Sequence, residues 1–306
     1  MAMTPRLRRQ SRRQLADHPI LAMFVMIVIW ILLILLIGSA AGWVGVPEDF
    51  VYWPLIQPTL AHIVTLFFIA PFILRIPGGR TSFRQYLRDI HLSRLRPLLP
   101  LLFLGISTAL IMLLASAGTS VAYRIVQGLR FHARFWGNLI DLSANLSPRS
   151  LSYVNTFPCI FEEIAWRGVM LTLFRRHMSD RKAILLSAVG FGFLHFFNLI
   201  DGAPLAWVLG QSLWGSVYGL FYGYMVVRVE SLLPAMVFHY LVNLLISSFD
   251  GYLQHTAPLE TMVLITFLSA IIVVPLLILW VRAFSLRWIP TRCAVALRPA
   301  PAPNVP

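Results

Sequence analysis

The chain alternates between long apolar runs and short polar segments that are rich in arginine. An apolar run of about 17–25 residues is long enough to cross the hydrocarbon core of a bilayer as a helix. The pattern therefore predicts an all-α integral membrane protein, a bundle of about eight transmembrane helices. The eight runs lie at roughly 20–43, 52–74, 97–117, 152–174, 183–200, 205–227, 231–249 and 261–284.

The composition supports a membrane protein. Of the 306 residues, 58% are hydrophobic and only 12% are charged, whereas a soluble domain carries about twice that share of charge. The first run is too long for the hydrophobic region of a signal peptide, and we interpret it as a retained span.

The basic residues predict the orientation. Twenty Arg and Lys residues fall at 1–19, 75–96, 175–182, 228 and from 282 onward, whereas the loops at 44–51, 201–204 and 250–260 have none. Cytoplasmic loops carry the excess of Arg and Lys, so both termini are predicted to be cytoplasmic, in a bacterial plasma membrane. Residues 118–151 break the pattern, and their mixture of Arg with apolar residues predicts an interfacial helix around 120–146.

The net charge of +13 does not indicate nucleic-acid binding. The basic residues lie between apolar runs, where loops meet an anionic membrane surface, so the expected partner is the lipid bilayer and not a nucleic acid. The two cysteines, Cys159 and Cys293, are too few for a disulfide framework and form no C-x-x-C motif.

Two adjacent glutamates, Glu162 and Glu163, lie inside the fourth apolar run, and Arg167 follows. An acidic side chain at membrane depth costs roughly 2.5–3.5 kcal/mol on insertion scales, so such residues are by default candidates for function. On a helix Glu163 and Arg167 stand at i and i+4 and can neutralise each other. Glu162 points about 100° away, which leaves it free for chemistry unless all three form one buried ion cluster.

Further polar residues lie on the fifth and seventh runs. His195 follows Phe191 by one turn, and His239 and Asn243 share a face at i and i+4. A single His in an apolar helix is usually a core residue, but two of them with an amide and a glutamate pair indicate a shared site. His62 and Gln211 are interpreted as structural, Gln211 as a hydrogen bond between helices.

This set of side chains suits peptide hydrolysis by water. A carboxylate and an imidazole can hold and deprotonate a water molecule, while a second His and an amide can donate to an oxyanion. Alternatively, Glu162, His195 and His239 could bind Zn²⁺, which takes N and O ligands and acidifies its water. We favour the reaction without a metal, because Asn243 beside His239 is a good oxyanion donor but an uncommon zinc ligand.

Together the three segments resemble the CAAX-protease and bacteriocin-processing family of intramembrane proteases, also called the type II CAAX prenyl protease or Abi family. Its pattern is E-E-x-x-x-R, then F-x-x-x-H, then H-x-x-x-N. The sequence supplies E-E-I-A-W-R from 162, F-G-F-L-H from 191 and H-Y-L-V-N from 239.

The resemblance implies a role for each matching residue. Glu162 corresponds to the general base, and His195 to the partner that activates the water. The oxyanion-stabilising pair is His239 with Asn243, and the supporting pair is Glu163 with Arg167. The resemblance covers about residues 152–249, the expected catalytic core. The apolar and charge patterns predict the other three regions: a basic cytoplasmic segment at 1–19, N-terminal helices and the interfacial segment at 20–151, and a last helix with a Pro/Ala-rich cytoplasmic tail at 250–306.

The sequence thus favours an intramembrane endopeptidase for a membrane-associated protein or peptide. One alternative is a relative without proteolytic activity that acts as a membrane scaffold or bacteriocin-immunity protein. Others are a transporter and a haem protein with His195 and His239 as axial ligands.

Overall fold

The computed structural model describes residues 15–47, 50, 52–73, 82–128, 156–200, 202–256 and 259–289. These residues form helices and turns, with no strand among them. Three of the helices change their winding along their length. The helices are α1 (Pro19–Trp43), α2 (Trp53–Ile63, then a π-helical Val64–Ile69 and Ala70–Ile73), α3 (Phe83–Asp89), α4 (Leu98–Val126), α5 (Thr156–Glu163, then a π-helical Ile164–Met170 and Leu171–Arg175), α6 (Asp180–Leu194, then a 3₁₀-helical His195–Leu199), α7 (Leu205–Val229), α8 (Leu233–Thr256) and α9 (Leu259–Trp288).

The fold class predicted from the apolar runs is confirmed. Five helical stretches of the described chain are long and apolar enough to cross a membrane: Pro19–Trp43, Ile56–Ile73, Leu98–Val126, Asp180–Leu199 and Val263–Trp288. Large apolar side chains on these helices face outward, among them Leu36, Phe72 and Ile272, as expected for surfaces in contact with lipid. The count of eight spans stays a prediction.

The predicted end of the third span was wrong. The sequence placed it at residue 117, with an interfacial helix beginning near 120, but α4 continues without a break to Val126. One face of this extension, with Ser120 and Arg124, is buried, so packing against the bundle prolongs the helix. The remainder of the predicted interfacial helix, from 129 on, lies outside the described residues.

Several charged turns meet at one end of the bundle, which we call the basic edge. It comprises residues 89–94 after α3, 175–180 between α5 and α6, 228–231 between α7 and α8, and Ser285 of α9. Arg94 forms an ion pair with Glu230, and Arg228 Nε donates to Ser285 Oγ at 2.9 Å. The loops that the charge pattern assigned to one side of the membrane therefore lie together.

Helices α6 and α7 approach closely along the glycine series of α7. A Cβ atom on Gly219 would lie 2.9 Å from Ala188 Cα, and one on Gly223 would lie 3.0 Å from Ile184 Cγ2. Glycine at four-residue spacing is the usual means of bringing helices together in membranes. The close approach places the end of α6, which carries His195, directly against α7.

Candidate active site

Helix α5 carries the acidic pair at the point where its winding changes from α to π. Glu163 ends the α-helical part, and Arg167 lies within the π-helical turn that follows. The side chains of both residues are fully buried, and Glu163 Oε1 lies 3.1 Å from Arg167 Nη1. Short π-helical segments occur frequently at functional sites. Here the π-helical turn still leaves the two opposite charges in contact.

Aromatic rings enclose the Arg167 guanidinium. Its Cζ atom lies 4.1 Å from the ring centroid of Phe191 on α6 and 4.6 Å from that of Tyr222 on α7. A cation over an aromatic face is attracted by the ring quadrupole, more strongly when it is desolvated. The two rings and Glu163 together hold Arg167 in place.

His239 of α8 contacts the buried Glu163. The two atoms His239 Nδ1 and Glu163 Oε1 are 2.9 Å apart, and because a carboxylate only accepts, Nδ1 carries the proton. From the spacing along each helix, His239 was expected to act with Asn243, and Glu163 was expected to pair with Arg167 alone. Spacing along one helix cannot show that a carboxylate on α5 reaches across to α8.

The other ring nitrogen of His239 points toward Glu162. Nε2 lies 3.8 Å from Glu162 Oε2, too far for a direct hydrogen bond but close enough for one water molecule to contact both atoms. The side chain of Glu162 is 33% exposed, whereas that of Glu163 is 0% exposed. Of the two carboxylates, Glu162 is the one that a substrate can reach.

His195 lies where α6 tightens into its 3₁₀-helical end. Its Nδ1 atom is 3.2 Å from Phe191 O and 3.3 Å from Gly192 O. Carbonyl oxygens only accept hydrogen bonds, so Nδ1 is the protonated nitrogen and Nε2 of the neutral ring is an acceptor. Gly215 lies against this ring, since a Cβ atom there would be 3.0 Å from His195 Cε1.

Asn243 has a partner that the sequence did not assign. Its Nδ2 atom donates to Cys159 Sγ at 3.4 Å, and Cys159 is fully buried. Spacing along the chain indicates no partner for this cysteine, so its contact with the amide is evident only from the structure. The bond orients Asn243, and its second N–H has no hydrogen-bond partner among the described residues.

One cavity brings the predicted residues together. It has a volume of about 300 Å³, and Glu162, His195, His239 and Asn243 line it, together with Tyr218 and Tyr222. Ligand pockets in proteins begin at about this size. Four side chains from three helices thus face one space, which is hereafter called the site cavity.

A catalytic zinc ion needs a tighter cluster of ligands than the described side chains form. Zinc requires three protein ligands at about 2.0–2.2 Å in a catalytic centre, and the described side chains include no group of three or more His, Cys, Asp or Glu arranged to hold a metal ion.

Comparison with known families identifies the segment that carries this site. Residues 146–245 match the family model of the Rce1-like type II CAAX prenyl endopeptidases. The match confirms the resemblance predicted from the three motifs, for about a third of the chain. No curated protein and no solved structure matches the chain.

All seven motif residues fall within the CAAX-endopeptidase-like segment, and so do Cys159 and Tyr222, which the motifs did not identify. Phe191 was identified only as part of a motif, without a role. From the sequence alone, an aromatic residue that contacts a cation cannot be distinguished from one that packs in the apolar core. Gln211 did fulfil its prediction as an interhelical bond, because Asn198 Nδ2 donates to Gln211 Oε1 at 2.7 Å between α6 and α7.

Proposed function

We propose that this protein is an intramembrane endopeptidase that hydrolyses a peptide bond of a membrane-associated protein or peptide. The observation that carries the proposal is the asymmetry of the glutamate pair. Glu163 is buried between Arg167 and His239, whereas Glu162 is exposed to a cavity that His195 and Asn243 also line. Hydrolysis by water needs a base that the reacting water can reach, and Glu162 meets this requirement.

Glu162 is the proposed general base. The reacting water lies beside the carboxylate of Glu162. His195 orients this water as well, because its unprotonated Nε2 can accept a hydrogen bond from it. Glu162 takes the proton as the water oxygen attacks the carbonyl carbon, and it later gives that proton to the leaving amine. The C–N bond then breaks, and the products are a carboxylic acid and an amine.

His239 and Asn243 are the proposed donors to the oxyanion. The free N–H of Asn243 is one donor, and Nε2 of a protonated His239 is the other. With His239 protonated, the four ionisable side chains have no net charge. The carboxylates of Glu162 and Glu163 then balance the positive charges of Arg167 and His239. A neutral set suits a site at membrane depth, where an uncompensated charge is costly.

The test compares cells that produce the wild type, Glu162→Gln or Glu230→Gln. Glutamine keeps the shape of the side chain and removes the base, while Glu230 belongs to the basic edge and serves as a control for the same substitution. Mass spectrometry of membrane-protein termini is expected to find at least one protein that is cleaved in the wild type and in Glu230→Gln but intact in Glu162→Gln. Identical termini in all three strains would contradict the proposal.

The same variants can be measured in proteoliposomes with a farnesylated fluorogenic CAAX peptide as the probe. Loss of general base catalysis lowers the rate by about 10²-fold or more, so we expect that loss for Glu162→Gln and near wild-type turnover for Glu230→Gln. The proposed reaction uses no metal ion, so dialysis against EDTA is expected to leave the wild-type rate unchanged. Stoichiometric zinc that tracks activity would overturn this choice.

A further inference from the structure

A second cavity lies on the other side of Glu162 and His195. Its volume is about 280 Å³, and residues of α1, α2, α5 and α6 line it. Glu162, Phe191 and His195 form the wall that it shares with the site cavity. Most of the other lining is apolar, for example Leu66, Met170 and Leu194. Three polar groups of α1 and α2 interrupt this lining, and neither the motifs nor the proposed reaction uses them.

The first is the hydroxyl of Thr65. Thr65 is 3% exposed, and its Oγ1 has no hydrogen-bond partner among the described residues. Threonines in helices usually bond back to a carbonyl one turn earlier. Thr108 Oγ1 does so with Leu104 O at 2.7 Å, and Thr119 Oγ1 with Ala115 O at 2.9 Å. Thr65 departs from this habit within the π-helical part of α2.

The second is the indole N–H of Trp30. Its Nε1 atom is buried and lacks a partner among the described residues. By contrast, Trp280 Nε1 donates to Ser107 Oγ at 3.0 Å. A buried donor without a partner costs about 1–3 kcal/mol, so the N–H of Trp30 is expected to be satisfied by whatever occupies the cavity.

The third is the imidazole of His62, a residue that we interpreted from the sequence as structural. Its Nδ1 atom lies 2.8 Å from Pro58 O, so Nδ1 is the protonated nitrogen and Nε2 of the neutral ring is an acceptor. Stacking on Phe161, with ring centroids 5.5 Å apart, fixes the ring. The residues that line the cavity thus include one with a donor, one with an acceptor and one with a hydroxyl that can be either.

We infer that this second cavity, lined by Trp30, His62 and Thr65, binds the substrate chain on one side of the bond that is cleaved. The inference rests on the proposed function and extends it. A peptide unit offers an N–H for His62 Nε2 and a carbonyl for Trp30 Nε1, and Thr65 can bond to either. The apolar lining accepts apolar substrate side chains. Since Glu162 and His195 form the wall between the two cavities, the cleaved bond lies at that wall and the chain extends into both.

A photo-crosslinking experiment tests binding without requiring turnover. p-Benzoyl-phenylalanine replaces Trp30 in a Glu162→Gln background, and replaces Trp280 in a matched control. With the farnesylated CAAX peptide as the probe, the label at position 30 is expected to crosslink residues on one side of the cleaved bond, and the label at 280 is expected to give no crosslink. No crosslink at position 30, or equal crosslinking at both positions, overturns the inference.

Kinetic constants of single-residue variants show whether the second cavity binds the substrate or only holds water. Thr65→Val and Trp30→Phe are each expected to raise KM about three- to tenfold, the effect of one lost neutral hydrogen bond, with kcat within about twofold of wild type. A higher KM with an unchanged kcat means that the lost hydrogen bond stabilised the bound substrate and the transition state equally. Thr108→Val, which removes a satisfied hydroxyl, is expected to change neither constant.

Three results count against the inference. A fall in kcat with unchanged KM for Thr65→Val means that the cavity supplies water only. Unchanged constants for both variants mean that the cavity takes no part in the reaction. If the wild type cleaves no substrate, in cells or in proteoliposomes, the proposed function fails and the inference fails with it. Thermal unfolding checks the variant itself, because Thr65→Val is expected to keep or raise Tm, whereas a structural hydroxyl would lower it.

Discussion

At the residue scale, two neighbouring glutamates have different surroundings. Glu163 is fully buried against Arg167 and His239, and Glu162 faces the site cavity. Their sequence positions differ by one residue, which turns the side chain by about 100° around the helix. This turn separates a carboxylate that holds the site together from one that can meet a substrate.

The Glu163–Arg167 pair is expected to be coupled in stability. Glu163→Ala leaves Arg167 buried without a counter-charge, which costs roughly 3–5 kcal/mol, and it also removes the partner of His239 Nδ1. The double variant Glu163→Ala/Arg167→Ala is expected to be more stable than Glu163→Ala alone. The measurement is a double-mutant cycle by thermal unfolding in detergent, and strictly additive losses would refute the coupling.

At the element scale, glycines of α7 set both packing and site geometry. Gly215→Ala places a Cβ atom 3.0 Å from His195 Cε1, and Gly219→Ala places one 2.9 Å from Ala188 Cα. An imidazole can turn, whereas a helix backbone must shift. The two substitutions are therefore expected to have different effects, although they lie one turn apart.

Gly215→Ala is expected to lower activity several-fold with little change in Tm. Gly219→Ala is expected to lower stability by about 1–3 kcal/mol, the usual cost of overpacking. Gly118 of α4, where a Cβ atom meets open space, is the control, and Gly118→Ala is expected to be neutral or slightly stabilising. Equal loss of Tm in Gly215→Ala and Gly219→Ala would contradict the distinction.

The turn after α3 connects the elements of the basic edge. His91 adopts a left-handed backbone with φ 60°, its carbonyl accepts from Leu232 N at 3.2 Å, and its Nε2 lies 3.3 Å from Arg175 Nη1. Burial, and to a lesser extent the charges of Arg175 and Arg94, lower the pKa of His91 to about 4, while Glu230 opposes them. Arg175 itself is paired with Asp180.

This environment makes stability depend on pH. Between the folded-state pKa of about 4 and the ordinary value of about 6.5, the unfolded chain binds more protons at His91 than the folded protein. The free energy of unfolding therefore rises with pH in that window, and the full contribution of His91 is present above it. His91→Asn, which tolerates a left-handed backbone, is expected to flatten the slope of Tm between pH 4.5 and 6.5. A slope equal to that of the wild type would contradict the assignment.

At the scale of the whole molecule, charge and structure agree on which loops lie together. The three basic turns at 89–94, 175–180 and 228–231 meet at the basic edge. Positive charge in short loops favours the cytoplasmic side, so the termini are predicted to face the cytoplasm with this edge.

Reporter fusions test the predicted orientation. Green fluorescent protein fused after Pro306 is expected to fluoresce, and alkaline phosphatase at the same position is expected to be inactive. Alkaline phosphatase fused within the loop at 201–204, which has no Arg or Lys, is expected to be active, since that loop should lie on the opposite side. The reverse set of activities would overturn the orientation and place the basic edge outside the cell.

The sequence by itself determined the fold class, the approximate limits of the helices and the seven motif residues. These features follow from local patterns: an apolar run long enough to cross the bilayer forms a helix, because only internal hydrogen bonds satisfy its backbone there. Charged and imidazole side chains within such runs stand out against their apolar surroundings. For the same reason Glu163 and Arg167 could be paired from their spacing on one helix.

Only the tertiary structure decided which side chains meet across helices. The bond from His239 to Glu163, the rings around Arg167 and the contact of Asn243 with Cys159 join residues that are tens of positions apart in the chain. The extension of α4 to Val126 was decided in the same way, by burial of Ser120 and Arg124. Such contacts depend on how the helices pack and on the orientation of each helix about its own axis. The spacing of residues within one helix does not determine that orientation.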